Sequence, residues 1–236
     1  GIPEFRLPRA VLDREIEYIL RAGVEIRTGT RIGPQLPVAQ LLDQYDAVLL
    51  AAGCYRSNPL RIPGETLPLV YPGLWFMGEV CSGRAPEVGK RVLVVGAGFT
   101  AFDCARSALR LGAEDVTICL RRTEEDLVVT EDEVLETKKE GIRIASLMLS
   151  RRIVGSDRVE GMEFVRTRPG ERGADGKREI APIEGSEFLL PAEAVIVATG
   201  QSPEPMEAPA ERNERGLLKA DTDTFHTSFR GLYVAG

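Results

Sequence analysis

The spacing of apolar residues changes period several times along the chain, and each change marks an element. Residues 8–22 carry Val11, Leu12, Ile16, Ile19 and Leu20 at helical spacing, which predicts an amphipathic helix. Pro8 suits its first turn and Gly23 its C-terminal cap. Residues 24–28 alternate at period two and predict a strand, with a second short piece over 29–33. Residues 38–43 supply one or two helical turns. Residues 46–53 are an apolar run ending in small residues, the pattern of a buried strand. The stretch through Pro59, Pro63-Gly64, Pro68 and Pro72-Gly73 reads as a linker.

A helix is predicted over 74–82, closed by Gly83. The β-branched run 92–95 is a strand buried on both faces; it breaks at Gly96-Ala97-Gly98, and a helical pattern follows over 100–111. After Gly112 the run 115–120 predicts the next strand and completes a βαβ unit, right-handed with parallel strands. Residues 131–140 read as a helix capped by Gly141, and 142–149 as a strand. Over 159–190 alternating runs are broken at residues 169–173 and at Asp175-Gly176, which predicts an antiparallel meander with a polar hairpin. Residues 194–200 repeat the buried strand with a small-residue end. A polar, proline-rich loop over 203–213 precedes short strands at Leu217-Leu218 and 232–235. The class is α/β. The endings Ala51-Ala52-Gly53 and Ala198-Thr199-Gly200 read either as one strand-and-loop idea used twice or as two unrelated buried strands.

Composition narrows the function classes. With 236 residues, 43% hydrophobic and 28% charged, the chain can bury one large core or two small ones. A net charge of −6 argues against a general binder of nucleic acid or membrane surfaces. No apolar run approaches a membrane span, and no signal peptide is recognisable. Cys54, Cys81, Cys104 and Cys119 show neither C-x-x-C nor metal-ligand spacing, so they read as structural thiols in a reducing compartment, the cytoplasm. No metal is expected. His226, the single histidine, lies in a polar Thr/Ser stretch and reads as solvated. The chain opens without an initiator methionine and stops at the end of a strand pattern, which reads as a piece of a longer protein.

The candidate chemistry lies in the turn after residues 92–95. Gly96, Gly98 and Ala101 form G-x-G-x-x-A between a strand and a helix. Such a turn brings bare backbone N–H groups and a helix N-terminus to a pyrophosphate; here Phe99 and Thr100 would offer those groups. The tip of the following strand meets the adenosine ribose, where a carboxylate selects a free 2′-hydroxyl and arginine a 2′-phosphate. That tip reads Arg121-Arg122, with no carboxylate before Glu124, so NADP is favoured over NAD. Arg106 and Arg110, on the helix, read as solvent-facing.

These residues carry a family resemblance. Residues 1–8 (Gly-Ile-Pro-Glu-Phe-Arg-Leu-Pro), 45–53, Ile62-Pro63-Gly64-Glu65, the glycine turn, Arg121-Arg122, 198–201 and 231–236 together resemble the FAD- and NADPH-dependent oxidoreductases of the glutamate synthase small-subunit type, a group related to adrenodoxin reductase. The resemblance covers essentially the whole chain. It implies a Rossmann-like, three-layer NADPH-binding domain over 76–202 inserted into an incomplete FAD-binding domain over 1–75 and 203–236. It implies hydride transfer from NADPH to the flavin N5, with electrons passed to a partner such as a glutamate synthase large subunit. It places Ile32, Ala52, Gly53 and Gly236 against FAD and adds Gly200 to the cofactor-binding residues. Glu133 matches a family glutamate near NADPH; an exposed helix charge is the alternative. Phe99 departs from the family's usual Asn or Asp. No side chain is assigned acid–base or nucleophilic work, because that chemistry belongs to the cofactors. Relatives' iron–sulfur clusters find no ligands here. Two other functions stay open, a disulfide reductase of the thioredoxin reductase type and an NADPH-binding or sensing module without turnover.

Overall fold

Four consecutive apolar residues, Val92 to Val95, all at or below 8% exposure, form the centre of the largest sheet. The computed structural model describes residues 1–173 and 178–235. Its chain divides into two units, one of Gly1–Leu12 with Ser57–Gln201 and one of Asp13–Arg56 with Ser202–Gly236. In order, the elements to the glycine turn are α1 (Arg9–Arg21), α2 (Val38–Gln44), β1 (Val48–Leu50), β2 (Arg56–Ser57), β3 (Val70–Pro72), α3 (Gly73–Cys81) and β4 (Arg91–Val95). There follow α4 (Phe99–Arg110), β5 (Asp115–Cys119), a 3-10 turn at Glu124–Asp126, α5 (Glu131–Lys139), β6 (Arg143–Ala145) and β7 (Met148–Val154). The last strands are β8 (Gly161–Arg172), β9 (Arg178–Pro191), β10 (Ala194–Val197), β11 (Gln201–Ser202) and β12 (Leu232–Val234).

The first unit is a three-layer α/β structure. Its parallel sheet has the order β3-β10-β4-β5-β6. Because side chains alternate across a strand, Val92 and Val94 join Phe76, Met77, Phe102, Ala105 and Ala108 on the helical face. Leu93 and Val95 join Ile153, Met162 and Phe164 on the other. That second face is covered by the antiparallel sheet β7-β8-β9 instead of by helices. Each fully buried aromatic or large aliphatic side chain contributes about 2–3 kcal/mol, which fixes the parallel strands between two apolar layers. Helix α4 closes on the sheet through small residues, with Ala101, Cys104, Ala105 and Ala108 all at 0% exposure.

Several expectations are corrected here. Residues 70–72, expected in a linker, form the edge strand β3, paired in register with Val195, Ile196 and Val197. An edge tolerates the flanking prolines, and Leu69 makes the bend at φ 69°. The two compact units meet at Arg56/Ser57, and residues 1–12 fall in the unit that holds the glycine turn. The strand expected over 142–149 splits into β6 and β7, because Leu147 at φ 61° turns the chain from the parallel sheet into the antiparallel one. The meander is a β7-β8-β9 sheet with long strands, and Asp175-Gly176 lie outside the described residues.

The second unit is smaller. β1 and β12 pair in parallel, Val48 with Leu232 and Leu50 with Val234. Val38, Val48 and Leu232 are its buried hydrophobic residues, with Ile32, Leu41, Leu42, Leu50 and Met206 packed on them. Residues 24–28 form no strand; Val24 and Ile26 are about half exposed, and Glu25 pairs with Arg27. Alternation alone has no sheet to join there. Leu217-Leu218 contributes only an isolated bridge, Arg212 to Leu218. His226 is half-buried instead of solvated, edge-on to Tyr233 with ring centroids 4.9 Å apart. Helix α1 keeps its predicted period yet buries no residue. Among the described residues no helix is long and apolar enough to cross a membrane.

Candidate functional site

Adjacent parallel strands bring the two parts of the predicted site to one edge of the sheet. β4 and β5 run in register, Val95 opposite Cys119, so the glycine turn and the Arg121-Arg122 tip leave from the same carboxyl end. Ligands of open α/β sheets bind beyond that end.

The two glycines of the turn differ in their reason for being glycine. A Cβ on Gly96 would stand 2.3 Å from the carbonyl oxygen of Ala198, the residue after β10, and 3.1 Å from the Ala101 Cβ. Gly96 is thus required by packing. A Cβ on Gly98 would meet nothing nearer than a Val128 methyl at 3.9 Å, and Gly98 has φ −104°. Among the described residues nothing demands glycine there, and the space above it is open. Helix α4 begins at the next residue, with no side-chain cap and no acid in its first turn. The Gly98 carbonyl takes the N–H groups of Ala101 and Phe102, at 2.8 and 3.4 Å. Those of Phe99 and Thr100 precede the first intrahelical bonds and, with the positive end of the helix dipole, suit an anion. Ala101 is fully buried under the turn, and the Thr100 hydroxyl accepts from Gln201 Nε2 at 3.3 Å.

Beyond β5, Leu120 is buried and anchors the basic tip. Arg121 is exposed and Arg122 half-buried. Partial burial of its head group, then the like charge of Arg122, hold the Arg121 pKa below the ordinary guanidinium value. An anion between the two heads would relieve that repulsion. Thr123 and Asp126 close the loop as a reciprocal capping box. Val128, 75% exposed, is the residue overhanging Gly98.

Glu133 is not an exposed helix charge. It is 8% exposed, and both its oxygens are engaged: Arg6 donates at 2.7 and 2.8 Å and Arg106 at 3.0 Å. Arg6 also reaches Asp103 on α4 at 2.8 Å, and Arg106 and Arg110 share Glu140. Phe5 lies under the Arg106 and Arg110 guanidinium groups, 4.8 and 4.1 Å from its centroid. Of the two arginines expected to face solvent, Arg110 is exposed and Arg106 half-buried, and both tie α4 to Glu140 and to Phe5 of the segment 1–8. Arg6 and Asp103 were not singled out by sequence; an arginine five places past the start and an acid inside a buried helix face were the available signals. Bonding from Arg6, opposed by burial and aided by Arg106, lowers the Glu133 pKa, and Arg110 with Arg106 holds Glu140 at about 2. Burial outweighs Arg6 at Asp103 and raises its pKa.

Gly200 lies in the same unit, at φ 106° after β10, with its carbonyl accepting from the Asn58 N–H at 3.0 Å. Ile32, Ala52 and Gly53 belong to the second unit, where Ile32 packs on the Val38, Val48 and Leu232 core and the other two are exposed at the end of β1. Gly236 lies outside the described residues. Among the described residues no cluster of His, Cys, Asp and Glu could hold a metal ion.

Comparison with known proteins bears on the family and the fold. The family profile described as pyridine nucleotide-disulphide oxidoreductase matches residues 8–236. The glutamate synthase [NADPH] small chain of Halomonas elongata is 36% identical over 255 residues, covering 100% of this chain and 54% of that one. The NADPH-Fe(3+) oxidoreductase subunit beta of Geobacter sulfurreducens is 40% identical over 209 residues, covering 86% of this chain and 31% of that one. The chain thus spans about half, or less, of the length of these relatives. Among solved structures, a mutant of FprA from Mycobacterium tuberculosis superposes with a TM-score of 0.81 at 18% identity, over 100% of this chain and 68% of that one. At that identity it shows the shared fold.

The two glycines are expected to separate stability from binding. Gly96→Ala is expected to lower unfolding stability by about 2–4 kcal/mol, because the backbone of β10 must move. Gly98→Ala is expected to change stability by about 1 kcal/mol or less while weakening dinucleotide binding at least about tenfold. Denaturant unfolding and ligand titration of both variants check this. The ion network sets an acid limit as well. A carboxylate with a depressed folded pKa stabilises above its unfolded value and loses that contribution as pH falls, so Glu133 and Glu140 favour the fold near neutrality. Asp103 runs the other way. Glu140, held at about 2, sets the window: the stability it contributes is expected to fall as pH drops from about 4.5 towards about 2. In Glu140→Gln that slope is expected to flatten, measured by denaturant midpoints across the range.

Proposed function

The chain belongs to the pyridine nucleotide-disulphide oxidoreductase family, and from that membership we propose that it is the NADPH-binding part of a flavin oxidoreductase. The observation that supports this most is Gly98, open at the start of an uncapped helix and one strand away from Arg121-Arg122. In this reading the Phe99 and Thr100 N–H groups bind the pyrophosphate. Ala101 and Gly96 let helix, strand and ligand approach one another, and Arg121 and Arg122 receive the 2′-phosphate of the adenosine ribose.

When bound, NADPH supplies a hydride and FAD accepts it. The chain's own residues position and exclude. Glu133 takes part indirectly in this reading: held by Arg6 and Arg106, it fixes the start of α5 next to the loop that follows the basic tip. Ile32, Ala52, Gly53 and Gly236 would contribute to the flavin side. The described part of that side is a two-stranded sheet over three buried hydrophobic residues. Such a pair of strands is marginal by itself, so the flavin site draws on more polypeptide than this unit contains.

The relatives' names share the coenzyme and differ in what it serves, glutamate synthase in one and an iron(III) oxidoreductase in the other. A partner subunit that receives electrons, such as a glutamate synthase large subunit, fits this pattern. A disulfide reductase fits less well. The sequence has no C-x-x-C, and Cys104 and Cys119 are buried with raised pKa values, that of Cys119 to about 12. A buried thiol held neutral is a poor nucleophile.

Specificity provides the test. The unmodified chain is expected to bind NADPH more tightly than NADH. Replacing Arg121→Ala and Arg122→Ala together is expected to weaken NADPH about 10- to 100-fold, with NADH changed little. Titration by calorimetry gives all four constants. Equal affinities for NADPH and NADH in the unmodified chain would contradict the 2′-phosphate assignment.

A further inference from the structure

The antiparallel sheet reaches the basic tip through one buried side chain. Thr167 on β8 is 3% exposed, and its hydroxyl donates to the Arg121 carbonyl at 3.0 Å. Its N–H donates to the Leu147 carbonyl at 2.9 Å, and the Leu147 N–H donates to the Arg122 carbonyl at 3.1 Å. Both arginine carbonyls are thus held from the same side, one by Thr167 directly and one through Leu147. Leu147 is a leucine at φ 61°, a conformation that costs on the order of 1 kcal/mol and persists only where its surroundings impose it. Those surroundings are the Arg122 carbonyl on one side and the Thr167 N–H on the other. The β8–β9 pairing shifts register between Val165 and Thr167, the kind of irregularity that re-aims a side chain.

From this geometry we propose that Thr167 is a positioning residue for coenzyme selection, holding the backbone of Arg121 and Arg122 so that their side chains converge on one 2′-phosphate. The proposal rests on the reading of that arginine pair given above. Two adjacent guanidinium groups repel, and in a free loop their side chains spread apart. Fixing both carbonyls restricts where the two Cα atoms lie, so less order is lost when a dianion is clasped by both heads. A coenzyme lacking the 2′-phosphate gains nothing from this arrangement. Thr167 therefore acts on selectivity and leaves the pyrophosphate end of the site alone. It contacts no ligand itself.

The experiment compares two probes on the full chain, 2′,5′-ADP, which carries the 2′-phosphate, and 5′-AMP, which does not. Thr167→Val keeps the branched shape and removes the hydroxyl. It is expected to weaken 2′,5′-ADP about five- to tenfold with 5′-AMP within about twofold, the size of one lost hydrogen bond. Thr167→Ser is expected to restore the unmodified ratio. Thr167→Ala, smaller at the same place, is expected to show the same selective loss and serves if the valine variant does not fold. Equal weakening of both probes, or no weakening, in variants that fold would overturn the proposal, provided the Arg121→Ala, Arg122→Ala variant still shows selective loss of 2′,5′-ADP. If that double variant shows none, the reading of the arginine pair fails and the proposal falls with it.

Discussion

The carbonyl of Ala198, the residue after β10, occupies the space where any side chain on Gly96 would begin. Most of the first unit depends on that contact. It lets β10 sit beside β4, which places a strand from late in the chain between β3 and β4 and closes the sheet. It also lets α4 start directly at the end of β4, with Ala101 beneath the turn. A larger residue would push the helix start away from the sheet edge. The open Gly98 and the first N–H groups of α4 would then no longer face the tip of β5.

A second constraint is electrostatic. α4 and α5 carry buried or half-buried charges of both signs, and Arg6, from outside both helices, adds a positive charge that bridges Asp103 and Glu133. Removing one member of such a cluster strands the others, and stranded buried charge costs more than the pair contributes. The segment 1–8 is for this reason part of the nucleotide-type unit, although it lies far from it in sequence. The helix bearing the glycine turn and the helix following the basic tip are held to each other through Glu133. The network thus links the two halves of the candidate site.

Much of this was legible in the order of residues. The strand 92–95, the glycine turn, the basic tip and the helix at Glu131–Lys139 were readable because period, capping and turn chemistry agreed at each of them. Where the reading failed, long-range pairing decided. β3 was hidden by its prolines, because only its partner β10 makes an extended segment there worth forming. The strand expected over 24–28 had alternation but no partner within its unit. Arg106 looked like a surface charge because its counter-charges, Glu133 and Glu140, are about thirty residues away. Thr167 carried no local signal. Its meaning lies in a hydrogen bond to a residue 46 positions earlier, formed only once the antiparallel sheet has folded against the parallel one.

The arrangement stands or falls on where a dinucleotide lies in the first unit, and a crystal structure of the chain grown with NADP+ measures that directly. The pyrophosphate is expected against the N–H groups of Phe99 and Thr100, over Gly98, with the 2′-phosphate between the Arg121 and Arg122 heads. A coenzyme bound elsewhere, or one whose 2′-phosphate points away from both arginines, would contradict it.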